Sequence, residues 1–512
     1  MSSRLLASAT LVAAAAIAAA LTHMVPRIIC RWPVYFASAR SIPICGAWPH
    51  GDLRETAATY RRPVVGRGSD FPSASWSALA SWRSPEYVAA TFGELVGVWR
   101  RPLAAEDTPG PPSGADSRSF VYWAERGHTR DGAYGMRAPL DAPAGTERVT
   151  EHVMSAADFV AGALSREQLL YCSHDLAAMG DAVAADVHPL SPYDLRSRSA
   201  QREKPTRGIV WLGAGGTVTH AHYDASHNVF VQVVGRKHFA LWPPTAHSAL
   251  RLYPTRHTLH RQSSWASPPR ADAAGPHALG EGVVLEEGDI LYLPPFYAHH
   301  VTALSNLSIS VAVWSESDAA KRKDALETLP LPWEGNWSEA EQAVAATQFV
   351  RRVLVDCHAA AAYYTSSYTG PNGGRRAAEA ARAALRALLA SRYEPLRALP
   401  LHHQEGLLDQ DGVDPKRAQA LRAACTDTSE GARQRRADLH EHVAEGARKV
   451  ADAVLAISPE DSFEGIASLA LANYLEAIAE FVAGRGLIHE FLSTCALGKW
   501  GRAVDAGAGL MA

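Results

Sequence analysis

The chain has 512 residues, 47% hydrophobic and 20% charged, with a mean hydropathy of −0.12. Such a composition belongs to a folded globular protein with room for two or three domains, and it excludes a disordered or collagen-like chain. The formal net charge of −3 supplies no global basic field for holding nucleic acid.

Leu5 to Leu21 is an uncharged run of mostly alanine after Arg4, with small residues at Ala18 to Ala20. Residues 1–25 therefore suit a signal peptide or a marginal membrane anchor. The expected location is the secretory pathway or a membrane. A mitochondrial presequence is the alternative, because Arg4, Arg27, Arg31 and Arg40 all precede the first acidic residue, Asp52. The cysteines (Cys30, Cys45, Cys172, Cys357, Cys425, Cys495) form no C-x-x-C pair. Neither a zinc ribbon nor a disulfide framework is expected, and the spacing reveals no redox compartment.

Residues 22–60 read as an irregular lead-in and 63–65 as a short strand. Residues 76–92 read as helical turns with Trp, Tyr and Leu on one side. The Pro- and Gly-rich stretch 106–119 reads as a surface loop. Residues 156–162 and 167–179 read as two short helices, with Ser155 or Ser165 as caps. From Gly208 the pattern turns to β, with strands expected over 208–213, 228–234, 238–242, 283–285, 290–293, 301–303 and 307–314. Tight turns at 234–237 and 286–289 join some of them, and so many short strands predict a double-sheet jelly roll. The polar insertion 262–282 is a lid or a decoration, and the reading leans to decoration. After Ser317 the period returns to 3.6. Ala381, Leu385, Leu388 and Leu389 share one face, and Leu471, Tyr474, Leu475, Ile478 and Phe481 share another. Residues 320–505 thus read as helical, with breaks near 370–374 and 400–415. Asn306 and Asn336 open glycosylation sequons.

The stretch THAHYDASHN (219–228) holds His222 and Asp224 at the start of what reads as a core strand. Residues i and i+2 of a strand face the same way, so imidazole and carboxylate converge as two-thirds of a facial triad for non-haem Fe(II). With 22 histidines in the chain, such a pair also arises by chance. A third ligand must come from a distant strand. His300, in LPPFYAHHVTAL (293–304), is the expected one; His299 beside it faces the opposite way, so only one of the two points inward. Lys237, among Val233, Phe239 and Leu241, needs an anion if it points inward and is a solvated hairpin lysine otherwise. Asn228 either caps a strand or donates to a bound carboxylate. Thr219 reads as an ordinary strand threonine.

These segments, with GRKHFALWPP (235–244) and EEGDILYLPPFYAHHV (286–301), resemble the JmjC or cupin-like Fe(II)/2-oxoglutarate oxygenases. Within that family the likeness is closest to the asparaginyl hydroxylase acting on hypoxia-inducible factor. It is strong over 207–316, weaker over 60–206, and absent from the C-terminal part. The resemblance implies an α+β chain with a double-stranded β-helix: a catalytic domain over 55–318 (core 207–316), N-terminal helices, and an all-α domain over 319–505. It implies Fe(II) held by His222, Asp224 and His300. The distal carboxylate of 2-oxoglutarate would be held by Lys237 and Thr219, with Tyr171 contacting it and Asn228 alongside. It implies a dioxygenase hydroxylating a protein side chain. A non-catalytic cupin scaffold, an RNA hydroxylase and a histone demethylase are the alternatives. The C-terminal helices would form a homodimer arm, and the leader would anchor the chain to a membrane. Three positions depart from the family: Phe296 and Tyr297 stand where a Trp is common, Ala312 where the relative has Asn, and His220 where it has Pro. Strict alternation from His222 would put His220, not Thr219, on the ligand face.

Overall fold

The computed structural model describes residues 30–31, 42–48, 52–59, 61–68, 70–102, 119–120, 135–136, 149–257, 260–264, 280–364, 373–397, 415–458 and 465–498. The leader, most of the loop expected over 106–119, residues 265–279 of the insertion, and most of the two expected helical breaks lie outside them. Strands of three or more residues before the core are β1 (Val64–Gly66), β2 (Glu94–Pro102), β3 (Val149–Ser155) and β4 (Gln168–Asp175). Eight core strands follow: β5 (Gly208–Ala214), β6 (Val218–Tyr223), β7 (His227–Val234), β8 (Lys237–Trp242), β9 (Glu281–Leu285), β10 (Ile290–Leu293), β11 (Ala298–Ala303) and β12 (Leu307–Ser315).

The core strands close a double-stranded β-helix of two facing sheets. The larger sheet runs β1–β10–β7–β12–β5–β4–β2–β3, and the smaller runs β9–β8–β11–β6, with Ser119–Phe120 on the edge of β6. Alternation sets what each face carries. On β7, Val229, Val231 and Val233 pack outward against the N-terminal layer, while Phe230 joins the interior with Phe239, Leu241, Leu291, Leu293 and Ala312. The tight turn from β7 to β8 carries the chain from the larger sheet to the smaller, so it is not a hairpin; it turns at Gly235, whose φ of +69° favours glycine, and a Cβ there would lie 2.5 Å from the Leu307 carbonyl oxygen.

Helices α1 (Leu53–Thr59), α2 (Pro85–Thr91) and α3 (Ala156–Ser165) cover the outer face of the larger sheet. Ser84 and Ser155 cap the last two, each accepting a bond from a first-turn amide; Ser165 instead donates to the Gly162 carbonyl. On the C-terminal side follow α4 (Asp318–Glu327), α5 (Glu339–Tyr364), α6 (Gly373–Leu388), α7 (Pro415–Thr426), α8 (Glu430–His442), α9 (Ala444–Leu455) and α10 (Ile466–Ala483). Their apolar faces form one cluster with Ala221, Tyr223, Ala240, Trp242 and Ala298 on the outside of the smaller sheet. By length and composition α10 could cross a membrane, but 72% of it is buried inside the fold, as in the core helix of a globular protein.

Four expectations change. Residues 167–179 form β4 and a 3-10 turn, not a helix. Both faces of this strand are buried, Leu169 and Tyr171 inward and Leu170 and Cys172 outward, so no polar alternation marks it. The strand expected over 301–303 begins at Ala298. Phe481 is 57% exposed, unlike its neighbours on α10. Cys425 and Cys495 are disulfide-bonded, with Cα atoms 5.0 Å apart; their separation of 70 residues hid the pairing from any local motif.

Candidate metal centre

His222 and Asp224 lie at the end of β6, not at its start as the sequence suggested: His222 is the last residue but one, and Asp224 follows the strand. β6 pairs with β11, and His222 stands opposite His299. Opposed residues of an antiparallel pair share a face. The two rings are 4.2 Å apart, and His299 Nε2 lies 3.9 Å from Asp224 Oδ2. Ligand atoms of His222, Asp224 and His299 all fall within 4.8 Å of one another.

The third member of the cluster is therefore His299 and not His300. The phase of β11 decides it. β11 also pairs with β8, where His299 stands opposite Leu241 and Val301 opposite Phe239, and both partners belong to the interior. His300 stands opposite Ala240, which packs outward against the helices. There its ring faces His220 at 6.1 Å.

Both cluster histidines have a defined tautomer. His222 Nδ1 bonds the His220 carbonyl at 2.8 Å, and His299 Nδ1 bonds the Tyr297 carbonyl at 3.2 Å. A carbonyl only accepts, so each Nδ1 carries the proton and each Nε2 lone pair is left for a metal. Burial, and then the neighbouring His299, hold the His222 imidazole well below its usual pKa, which keeps it neutral as a ligand must be.

The two ligand segments are braced together. Phe296 N–H donates to the Asp224 carbonyl at 2.6 Å, and His247 Nε2 donates to the Phe296 carbonyl at 2.8 Å. Tyr223 stacks on both His247 and Phe296. Phe296 has φ of +62°, a conformation that costs a bulky residue about 1–3 kcal/mol and that this brace holds in place.

The remaining expected residues also face the interior. Four residues of β6, from Thr219 to His222, stand opposite three of β11, from Val301 to His299. This bulge shifts the phase, so Thr219 and His222 share the inner face while His220 is turned outward. Thr219 Oγ1 lies 2.9 Å from the Tyr171 hydroxyl, which β4 brings in. Lys237 is 3% exposed; its Nζ donates to Ser310 Oγ at 2.7 Å and sits 5.1 Å above the Phe230 ring. Burial alone pushes its pKa down to about 7, and among the described residues no carboxylate pairs with it. Asn228 is buried and its Oδ1 has no hydrogen-bond partner.

A family model described as a cupin-like domain matches residues 52–321, more than half of the chain. The chain belongs to that family. Among relatives of its cupin-like domain, lysine-specific demethylase JMJ30 of Arabidopsis thaliana is 37% identical over 114 residues, 22% of this chain and 26% of that protein. Lysine-specific demethylase 8 of Danio rerio is 35% identical over 109 residues, 20% of this chain and 26% of that protein. tRNA wybutosine-synthesizing protein 4 of Aspergillus oryzae is 33% identical over 106 residues, 20% of this chain and 10% of that protein. The chain thus spans about a quarter or less of the length of these curated relatives. The solved Escherichia coli ribosomal oxygenase YcfD covers 54% of this chain and 55% of its own, at 14% identity and a TM-score of 0.27, too slight a likeness to bear on function. JmjC and cupin-like oxygenases normally use Fe(II) and 2-oxoglutarate. The cupin-like domain described here has residues that fit both: two imidazoles and a carboxylate whose ligand atoms converge for the metal, and for a dicarboxylate a buried lysine with no acidic partner among the described residues.

Gln262 went unnoticed in the sequence, where it only opens the polar insertion. It is 1% exposed and bridges His222 across the other edge of β6. Paired antiparallel residues share a face, so its side chain lies on the His222 side, and neither amide atom has a hydrogen-bond partner. The insertion is thus no decoration at its first residues.

Proposed function

We propose that the protein is an Fe(II)- and 2-oxoglutarate-dependent oxygenase that hydroxylates a polypeptide side chain, in the manner of the asparaginyl hydroxylase it resembles. The observation that carries this reading is the convergence of His222, Asp224 and His299 inside the same barrel that buries Lys237 with no counter-ion among the described residues. Bound iron and 2-oxoglutarate would supply the oxidising chemistry. The chain's own residues would do the rest. The two imidazoles and Asp224 would hold the metal. Lys237 neutralises the far carboxylate of the co-substrate, with Thr219, Tyr171 and Asn228 as polar neighbours. The closed β-sandwich keeps bulk water from the reacting atoms. Gln262, with a free amide on the ligand face, is suited to bind a polar group of the substrate.

Demethylation of methyl-lysine is the second reading, favoured by the names of two of the relatives. Purified protein with Fe(II), 2-oxoglutarate and O2 is expected to form succinate, and a cell extract treated with it to gain single oxygen atoms on peptides. Loss of methyl groups as formaldehyde would favour demethylation instead. No succinate, with Asp224→Ala indistinguishable from the parent, would overturn both readings and leave a scaffold.

We also propose that the protein resides in the secretory pathway. Support comes from the apolar run 5–21, from the exposed sequon residue Asn336, and from the Cys425–Cys495 disulfide, a bond that persists in oxidising compartments. Glycosidase treatment of the natively expressed protein is expected to raise its gel mobility. An unchanged mobility together with a free Cys425 thiol would overturn the proposal.

A further inference from the structure

The segment that bears Gln262 is held at two ends by different parts of the molecule. Near the metal centre it adds to the edge of β6: Tyr223 N–H donates to the Arg261 carbonyl at 3.2 Å and Ser263 N–H to the Ala221 carbonyl at 2.8 Å. Leu252 bridges Ser263, and Tyr253 N–H donates to the Gln262 carbonyl at 2.9 Å, so the segment doubles back on itself.

Its other limb enters the helical region. Thr255 N–H donates to Glu476 Oε2 at 2.6 Å, and Thr255 Oγ1 donates to Asn473 Oδ1 at 2.7 Å. Arg392, on the π-helical turn after α6, lies 3.1 Å from Glu476 and donates to Asn473 at 3.0 Å. Next door, Arg256 pairs with Glu480 at 2.7 Å. Glu476 is fully buried, Asn473 5% and Arg392 7% exposed.

A buried ion pair is a poor device for stability alone, since apolar residues of the same volume often serve as well or better. It does fix geometry, because each partner must keep its bonds. The acceptors here are spent on Thr255, a residue of the β-sandwich half, and not only on the helices.

We propose that Arg392, Asn473 and Glu476 are positioning residues for the metal centre: by seating Thr255 they set the place of Gln262 beside His222. The C-terminal helices thereby support, from behind, the segment that carries Gln262. This rests on the oxygenase reading for its catalytic meaning but not for its test. π-Helical turns recur at functional positions, which fits Arg392 lying on one.

The experiment compares full-length parent, Thr255→Val, and the double variant Arg392→Met with Glu476→Leu, which removes the ion pair without leaving a buried charge. Amide hydrogen exchange is followed by peptide mass spectrometry. Peptides covering 252–257 and 260–264 are expected to exchange about tenfold or more faster in both variants, with β7 and β12 unchanged, the mark of local opening rather than global unfolding. If succinate formation is present in the parent, KM for the polypeptide substrate should rise in both variants while the affinity for 2-oxoglutarate holds. Unchanged exchange across 252–264 in Thr255→Val, or loss of protection confined to α6 and α10 in the double variant, would overturn the proposal. Neither outcome depends on whether the parent turns over 2-oxoglutarate.

Discussion

His299→Ala is expected to lose its metal, and His300→Ala to keep it. The two residues are neighbours in sequence and chemically identical, so any difference reports strand phase alone. His299 shares a face with His222 and Asp224, whereas His300 faces His220 on the outside of the smaller sheet. Mutating an outer partner of a ligand costs about 10–100-fold in affinity, so deleting a ligand should exceed that. Anaerobic titration with Fe(II) or Co(II) measures it directly. Far-ultraviolet circular dichroism of both variants guards against unfolding. A His300→Ala protein that no longer binds metal, beside a His299→Ala protein that does, would reverse the assignment.

The second large effect concerns Lys237. Its burial without an acidic partner makes it the residue most altered by a bound dicarboxylate. Lys237→Met, of similar volume, should weaken 2-oxoglutarate binding by about 2–5 kcal/mol, a factor of roughly thirty to several thousand. The pH dependence has a definite sign. In the free protein the ammonium has a pKa of about 7, lowered by burial, and a bound carboxylate raises it by stabilising the charged form. Below pH 7 lysine is charged in both states and affinity is flat. Above pH 7 the free protein must take up a proton in order to bind, so the affinity falls by up to about tenfold per pH unit. Calorimetric titration with 2-oxoglutarate between acid and alkaline pH, on metal-loaded protein, tests both statements. The Lys237→Met variant should show a flat profile. A parent profile equally flat, or affinity rising with pH, would exclude this lysine as the carboxylate holder.

Much of the β-sandwich was legible because short strands there carry β-branched residues on alternate faces and stop at Gly, Asn or Asp. The turns at Gly235 and Gly288 needed only local signals, but that each passes the chain from one sheet to the other did not show locally. The choice between His299 and His300 was not local. It depends on where β11 begins and on its register with β8, and a strand read from Val301 onward leaves both histidines outside it. β4 was misread for a different reason: with Leu169 and Leu170 both buried, on opposite faces, apolar residues fall side by side and mimic a helical turn. The place of Thr219 could be doubted from strict alternation, and only the extra residue of the bulge resolves it. Gln262 and His247 gave no signal at all, and Phe296 stood out only as a replacement for Trp, not as a brace. Their roles come from contacts across long sequence distances, such as the bond from Phe296 N–H to the Asp224 carbonyl.

That extra residue in β6 has a further meaning. A strand normally offers one side chain in two to a cavity, so a hydroxyl and an imidazole three positions apart would look in opposite directions. Here they look the same way, and the span from Thr219 to His222 acts as a ruler whose length is set by count rather than by chemistry. The two residues between them look the other way, His220 to the Ser263 carbonyl and Ala221 into the apolar layer under the helices, so deleting either one would turn the hydroxyl and the imidazole apart.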